Sequence, residues 1–414
     1  MKELQLRRQA VLDRMEDGSI CMLYSGIALH RSEDAYFHFE ANRNFYYLTG
    51  INRENMMLFL DKTNPEEPRS ILFIEEADPT MEKWYGKKLT KDEAKEEAQI
   101  ETVQFMDSIP SVIGRMIRSA WVKKAYFDTY RCGEEDLPDY NAVKAKEFMD
   151  KYVGIPVENI YPIVGYLRMA KDEAEVEAIK RAVEMTKAGL EDVMKNLKPG
   201  MMEYQAQSIY EHRIKYMGSE GPSFPTIAGS GYNGTMLHYE TNRCECKDGD
   251  LLLLDLGARS GCYCSDITRT YPINGKYSER QKAVYDVVLK ANLEVTKAAK
   301  PGVTLRELND LCKKILAEGA KELGLIKEDD ELFTYYMHGV SHHLGIDVHD
   351  ANTAEGVKLR PGCVITNEPG LYIEEENIGI RIEDDLLITE DGCINLSKDI
   401  IRTTEEIEAF MAQK

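Results

Sequence analysis

The stretch LLLLDLGARSGCYCSDITRTYPING, residues 251–275, reads as two strands folded back on each other around a tight turn. Leu251 to Leu254 run into Asp255, and Cys262 to Thr270 run through Asp266; residues of these kinds fill half-buried or buried strands. With Ser260-Gly261 as a two-residue hairpin loop, the register sets Asp255 opposite Asp266 on one side of the sheet. Opposed strand residues lie roughly 4.5–5.5 Å apart at Cβ, where like charges repel. An aspartate that ends a four-leucine run also sits where a buried strand belongs, and a buried carboxylate either keeps its proton or finds a cation. Taken alone, the pair has two readings: a metal site, or a structural pair of buried carboxylates.

The rest of this half of the chain bears on that choice. MHGVSHHLGIDVHD, residues 337–350, packs His338, His342, His343 and His349, four of the chain's eight histidines, into twelve positions. A lone histidine is more often structural, but a cluster among glycines and aspartates suits metal ligation or acid–base work near neutral pH. CVITNEPGLYI, residues 363–373, places Glu368 at the end of a β-branched run, immediately before Pro369-Gly370. GIRIEDDLLIT, residues 379–389, places Glu383 in a strand with Ile380, Ile382 and Leu386 around it. Each acid alone reads as a strand-end charge. Together, Asp255, Asp266, His342, Glu368 and Glu383 supply four carboxylates and one imidazole, a set suited to two divalent ions bridged by shared carboxylates. The charges then nearly cancel. Oxygen-rich ligation favours manganese or another hard ion, with cobalt, iron and zinc left open by ligand type.

Working outward, LRMAKDEAEVEAIKRAVEMTKAGLEDVMKN carries Val176, Ile179, Val183, Leu190 and Val193 at helical spacing behind an acidic first turn. This predicts a long amphipathic helix that ends before Pro199-Gly200 and opens a second domain. Lys198-Pro199-Gly200 leads into a helical stretch ending near Gly218, and Lys300-Pro301-Gly302, 102 residues further on, leads into another from Leu305 to Leu323. Ser278 with Gln281 and Thr304 with Glu307 are capping boxes that mark helix starts. The echo fits two pseudo-symmetric halves, and equally the common use of Pro-Gly as punctuation before a helix. Residues 1 to about 168 read as a mixed α/β unit, with strand-like runs at Cys21–Tyr24, Met56–Leu60 and Ile71–Ile74 and a charged helical stretch at Lys91–Glu97.

Composition limits the partners. At 414 residues the chain exceeds one typical domain, and 43% hydrophobic with 30% charged residues places it in the ordinary globular class. With 72 Asp and Glu against 52 Lys and Arg, a net charge of -20 and no basic stripe, nucleic acid and anionic membranes are poor partners. No apolar run approaches the roughly 20 residues that span a bilayer. The opening MKELQLRRQAVLDRM lacks the apolar core of a secretory signal, so a cytoplasmic location is expected. The odd number of cysteines, nine, fits a reducing compartment; Cys244/Cys246 and Cys262/Cys264 lack the spacing of structural zinc sites.

The ordered set DLGA, SDITRTYPINGKYS, HGVSHHLGIDVHD, NEPGLYI and GIRIEDD resembles the pita-bread metallopeptidases, which include methionine aminopeptidase, prolidase and aminopeptidase P. FHFEANRNFYYLTGINRENMMLFL, with Trp84-Tyr85-Gly86, is similar to the creatinase/aminopeptidase P type of N-terminal domain. The resemblance implies an α/β (α+β) chain: an N-terminal mixed α/β domain over 1–168 and a catalytic pita-bread domain with pseudo-twofold halves over 172–414. It implies Asp255, Asp266, His342, Glu368 and Glu383 as ligands of two metal ions, Asp266 and Glu383 bridging them. Glu368 would also accept the proton of the attacking water, a metal-bridging hydroxide being the nucleophile. His238, His338 and His349 would bind substrate or stabilise the intermediate, with Tyr372 and Arg381 contacting the reacting region. Residue type alone reads His238 as a satisfied structural histidine and Arg381 as an ion-pair partner supporting a metal ligand. His343 departs from the pattern, since aminopeptidases P often carry tryptophan after the histidine ligand.

The implied reaction is removal of an N-terminal residue from peptides with proline in second position, by a homodimer or homotetramer. Prolidase, an Xaa-Pro dipeptidase, is the neighbouring alternative. A non-catalytic peptide-binding homologue is the alternative of another class, and the complete ligand set counts against it.

Overall fold

In the computed structural model, which describes residues 3–131, 133–352 and 356–413, the strand Leu251–Leu256 pairs antiparallel with Ile267–Pro272. Asp255 stands opposite Thr268, not opposite Asp266. The turn is Gly261-Cys262, closed by Ser260 against Tyr263, with Gly261 at φ +58°. The expected register is therefore off by two. Because side chains alternate with period two, this slip keeps both aspartates on one face and makes them diagonal neighbours. The second run is also interrupted, with Tyr263–Cys264 and Ile267–Pro272 as separate strands.

Backbone contacts divide the chain into two compact units, Met1–Arg168 and Met169–Lys414. The first is built on a six-stranded mixed sheet in the order Thr102–Phe105, Arg69–Ile74, Met57–Lys62, Ser19–Tyr24, Lys124–Phe127, Val157–Asn159. Ile20, Met22, Phe59 and Phe73 fill one core, while Cys21, Leu23, Leu58 and Leu60 of the same central strands are buried as well. Strands covered on both faces read as continuous apolar runs, which is how they stood out in the sequence.

In the second unit, the helix Glu173–Asn196 starts at a capping box, Asp172 with Glu175, and buries Val176, Ile179, Val183, Leu190 and Val193. Each such side chain contributes roughly 1.5–3 kcal/mol, which outweighs the helix's own propensity. It packs on Glu203–Tyr216; further on, Glu279–Ala298 packs on Leu305–Glu322. The turns inside the two pairs match in detail. Gly200 and Gly302 have φ +85° and +88°. The Gly200 N–H donates to the Cys246 carbonyl at 2.9 Å, and the Gly302 N–H to that of Leu359 at 2.8 Å. The echo between the two Lys-Pro-Gly turns is thus structural, each tying a helix pair to the chain that enters its sheet.

The first pair precedes the sheet Ile267–Pro272, Leu251–Leu256, Ile227–Ser230. The second precedes Val364–Asn367, Asp384–Ile388, Cys393–Asn395, and the ribbon Gly370–Ile373 with Ile378–Arg381. These are the pseudo-twofold halves of the pita-bread arrangement. They meet where Ile378–Arg381 lies against Leu251–Leu256, Ile267–Pro272 and the 3₁₀ turn Gly231–Thr235. At that seam a Cβ on Gly379 would sit 1.9 Å from the Gly234 carbonyl oxygen. Gly379→Ala must push the facing backbones away from each other and should cost about 1–3 kcal/mol or more. Gly392→Ala, facing open space, should stay within about 0.5 kcal/mol of the parent. Thermal unfolding of the two variants measures the difference, and equal midpoints would mean the seam is not closely packed.

Candidate metal centre

Five acidic and imidazole side chains arrive at this seam from four stretches of chain. Asp255 lies near the end of its strand and Asp266 just before the next. Glu368 follows Val364–Asn367, as its place in the sequence implied. Glu383 is not inside a strand, contrary to expectation: it sits in the bend between Ile378–Arg381 and Asp384–Ile388. Its own N–H donates to the Thr268 carbonyl at 3.0 Å. Beneath it, buried Arg269 donates to the Glu383 carbonyl at 2.6 Å and to Asp384 Oδ1 at 2.7 Å, while Arg402 reaches Asp384 Oδ2 at 2.8 Å. The bend is thereby pinned by an ion-pair network.

His342 is oriented through its backbone and its ring. Its N–H donates to Thr366 Oγ1 at 3.1 Å, and Nδ1–H donates to the His343 carbonyl at 3.0 Å, which leaves Nε2 as the free lone pair. Nε2 lies 3.4 Å from Asp266 Oδ2 and 3.7 Å from Glu368 Oε1. One ligand atom each from Asp266, His342 and Glu383 falls within 4.8 Å of the others, a spacing that fits a single ion. Asp255 gives Oδ2 to Arg381 Nη2 at 2.6 Å, and its Oδ1 is buried without a hydrogen-bond partner.

The electrostatics are those of crowded acids. Burial, and then repulsion from Asp255, Asp385 and Glu368, hold the Asp266 carboxyl far above its ordinary range. Glu383 is raised for the same reasons, by burial and then by Asp266, Glu368 and Asp255. Burial lifts Glu368 to about 7, against the pull of His342 and Arg381. Such groups keep protons unless a cation takes their place, and the orphaned oxygen of Asp255 is a further vacant donor. The residues fit divalent metal.

The other expected residues surround this cluster. Arg381 is almost wholly buried and uses all three nitrogens: Nε to Thr268 Oγ1 at 3.1 Å, Nη1 to Tyr372 Oη at 2.8 Å and Nη2 to Asp255. Its ion-pair partner is Asp255, not the adjacent Glu383. Tyr372 meets His338 Nε2 at 2.8 Å. Burial, then Arg381, lowers His338 to about 4, so it is neutral. His349 sets its ring 4.3 Å from that of His342; desolvation and the imidazoles of His342 and His238 push its pKa down. His238 is exposed, within electrostatic reach of His338 and His349. His343 is buried, and its carbonyl rather than its ring serves the cluster.

Several contributors escaped the sequence reading. Thr268 donates from Oγ1 to Glu383 Oε2 at 2.7 Å, Thr366 holds His342, and Asp385 Oδ2 accepts the Asp266 N–H at 3.3 Å. Only Thr268 left a signal, standing two residues beyond Asp266 and so on the same face.

Carboxylates gathered around one imidazole, at the seam of two matched halves, suit divalent metal, and the chain belongs to metallopeptidase family M24, whose sequence profile matches residues 177–390. Residues 4–125 match the aminopeptidase P N-terminal domain. Within that class the chain is 35% identical to the Xaa-Pro aminopeptidase of Escherichia coli (strain K12), over 99% of this chain and 97% of that one. The solved E. coli aminopeptidase P with the inhibitor Pro-Leu superposes with a TM-score of 0.89 at 34% identity, covering 99% of this chain and 98% of that one. A solved Bacillus anthracis chain superposes with a TM-score of 0.96 at 44% identity, covering 99% and 98%.

Thr268→Val keeps the shape of the side chain and removes both its bond to Glu383 and its acceptor for Arg381. It should weaken metal affinity about 10–100-fold, as loss of groups that orient ligands does. Competition with a chelating indicator measures this, and unchanged affinity would remove Thr268 from the metal-binding apparatus.

Proposed function

We propose that this chain is a metal-dependent Xaa-Pro aminopeptidase, releasing the N-terminal residue from peptides whose second residue is proline. The observation that carries the reading is that likeness to Xaa-Pro aminopeptidases runs through both units, over 99% of the chain. Asp255, Asp266, His342, Glu368 and Glu383 would hold two divalent ions, manganese first among them. When bound, such a pair supplies a water of lowered pKa and positive charge against the developing oxyanion.

The chain's own residues supply the rest. Glu368, next to His342, would accept the proton of the attacking water and pass it to the leaving proline nitrogen. His338 lies beside Glu368 and His349 beside His342, and with His238 they would bind the substrate and the tetrahedral intermediate. Tyr372 and Arg381 orient His338 and Asp255. The bond to proline has no N–H, so recognition rests on the free amine, the carbonyl and the ring.

Arg381 favours an aminopeptidase over a dipeptidase. A dipeptidase needs a cation for the carboxylate of a C-terminal proline, and Arg381 already spends three of its five N–H groups and its charge within the site, on Thr268, Tyr372 and Asp255. The cytoplasm is the proposed location, since an odd number of cysteines scattered along a large chain fits a reducing compartment. A homo-oligomer, dimer or tetramer, is proposed from the family likeness alone.

Chelation should abolish activity and manganese or cobalt should restore it, and Asp266→Asn should lose more than Asp255→Asn if Asp266 serves both ions. Xaa-Pro-Yaa peptides should be cleaved after the first residue with kcat/KM at least about tenfold above the Xaa-Pro dipeptide, a difference of ~1.4 kcal/mol in the barrier. Full activity in metal-free protein overturns the mechanism. A preference for the dipeptide transfers the assignment to an Xaa-Pro dipeptidase.

A further inference from the structure

The carboxylate of Glu203 takes no part in the metal cluster, yet its residue is completely buried. It opens the helix Glu203–Tyr216 just after the Lys-Pro-Gly turn. Five donors converge on it. The Ser230 N–H and Oγ lie 2.8 and 2.7 Å from Oε1, with Asn233 Nδ2 at 2.9 Å. The Tyr239 hydroxyl and the Cys244 N–H each lie 2.9 Å from Oε2. All five partners are donors and none is a cation, so this is an acceptor matched to one segment, residues 230–244, and not half of an ion pair.

That segment carries His238. Its neighbours on either side, Leu237 and Tyr239, pack against Ile227, Leu253 and Tyr372. The two flanking side chains are held in that cluster, while His238, in the turn between them, is exposed. The anchor has a hydrophobic component, which includes the Tyr372 that bonds His338, and a polar component, which is Glu203. The pseudo-symmetric half lacks the device. Position 305, 102 residues beyond 203, is leucine, whose side chain has no acceptor to offer.

We propose that Glu203 is a positioning residue that sets the His238 segment over the carboxylate cluster, acting through the Tyr239 hydroxyl and the backbone of residues 230 and 244. The proposal rests on the reading of His238 as a substrate-contacting group. A glutamine at 203 turns one oxygen into an amide that faces donors, so the segment must shift even though the side chain's volume is kept. Tyr239→Phe removes one of the five bonds and leaves the packing.

The test is a double-mutant cycle on an Ala-Pro-Yaa peptide, with metal content and amide hydrogen exchange measured on the manganese-loaded protein. Glu203→Gln should lower kcat/KM about 10–100-fold and Tyr239→Phe about 3–10-fold, with metal content at the parent level. In a His238→Ala background both changes should cost less than about twofold, because the group they position is gone. Exchange should rise across residues 230–244 in the Glu203 variant. If Glu203→Gln does not fold, Tyr239→Phe carries the same cycle. Equal losses with and without His238, or loss of metal in step with activity, would overturn the proposal and make Glu203 a general structural residue; so would full activity in both variants. If His238→Ala is itself fully active while exchange across 230–244 rises in Glu203→Gln, the role of His238 in the reaction falls and the positioning of its segment by Glu203 stands.

Discussion

Repulsion among buried carboxylates is the constraint around which the catalytic unit is built. Asp255, Asp266, Glu368 and Glu383 share a seam from which water is largely excluded, and three of them are pushed toward their protonated forms. Bringing like charges together in low dielectric costs several kcal/mol unless cations compensate. The chain supplies some of that compensation itself. Arg381 ties Asp255, and Arg269 ties the bend that carries Glu383 through Asp384. Neither arginine reaches Asp266 or the Glu368 carboxylate by a direct bond, and those are the groups nearest the His342 lone pair. The uncompensated charge is therefore concentrated where a metal would bind.

The two halves divide this labour unequally. Each contributes a helix pair, a Lys-Pro-Gly turn and a short antiparallel sheet, a plan that needs no chemistry and explains the echo. Asp255 and Asp266 come from the first half and His342, Glu368 and Glu383 from the second. The pair of glycines at the seam, Gly234 and Gly379, let the backbones approach closely enough for ligands from both to meet. Close approach there also brings Thr268 within reach of Glu383 and Arg381, so one hydroxyl from the first half orients two groups of the second.

What could be read in the sequence follows the range of the forces involved. The helix Glu173–Asn196, the capping boxes and three of the six strands of the first unit's sheet depend on neighbours within a few residues, and their periodicity and end residues announced them. Glu368 at a strand end was legible for the same reason. The hairpin was found but its register was off by two, because Gly261 rather than Ser260 opens the turn and both choices keep the same residues facing the core. Glu383 looked like a strand residue because Ile380, Ile382 and Leu386 surround it. The bend is imposed by Arg269, more than a hundred residues earlier. Glu203 and Thr366 were invisible, since a buried acceptor or hydroxyl has no local pattern, only distant partners.

The direction of the hydrogen bonds around His338 separates the roles of the neighbouring groups. Arg381 has only donors to offer, so Tyr372 Oη accepts from Nη1, and the Tyr372 proton is directed at His338 Nε2. Nε2 is then the acceptor and Nδ1 carries the proton, which it donates to the Gly339 carbonyl at 2.8 Å. A ring held in this way, with its pKa lowered to about 4, has no proton to take or give near neutral pH without breaking the chain. On the proposed reading His338 contributes a fixed neutral dipole and shape, in the manner of preorganised donors and acceptors. Proton transfer then falls to Glu368, whose Oε2 lies 3.6 Å from the same ring but whose other oxygen faces His342. On that reading the strand Gly370–Ile373, by presenting Tyr372 between an arginine and a histidine, would leave the acid–base work to Glu368.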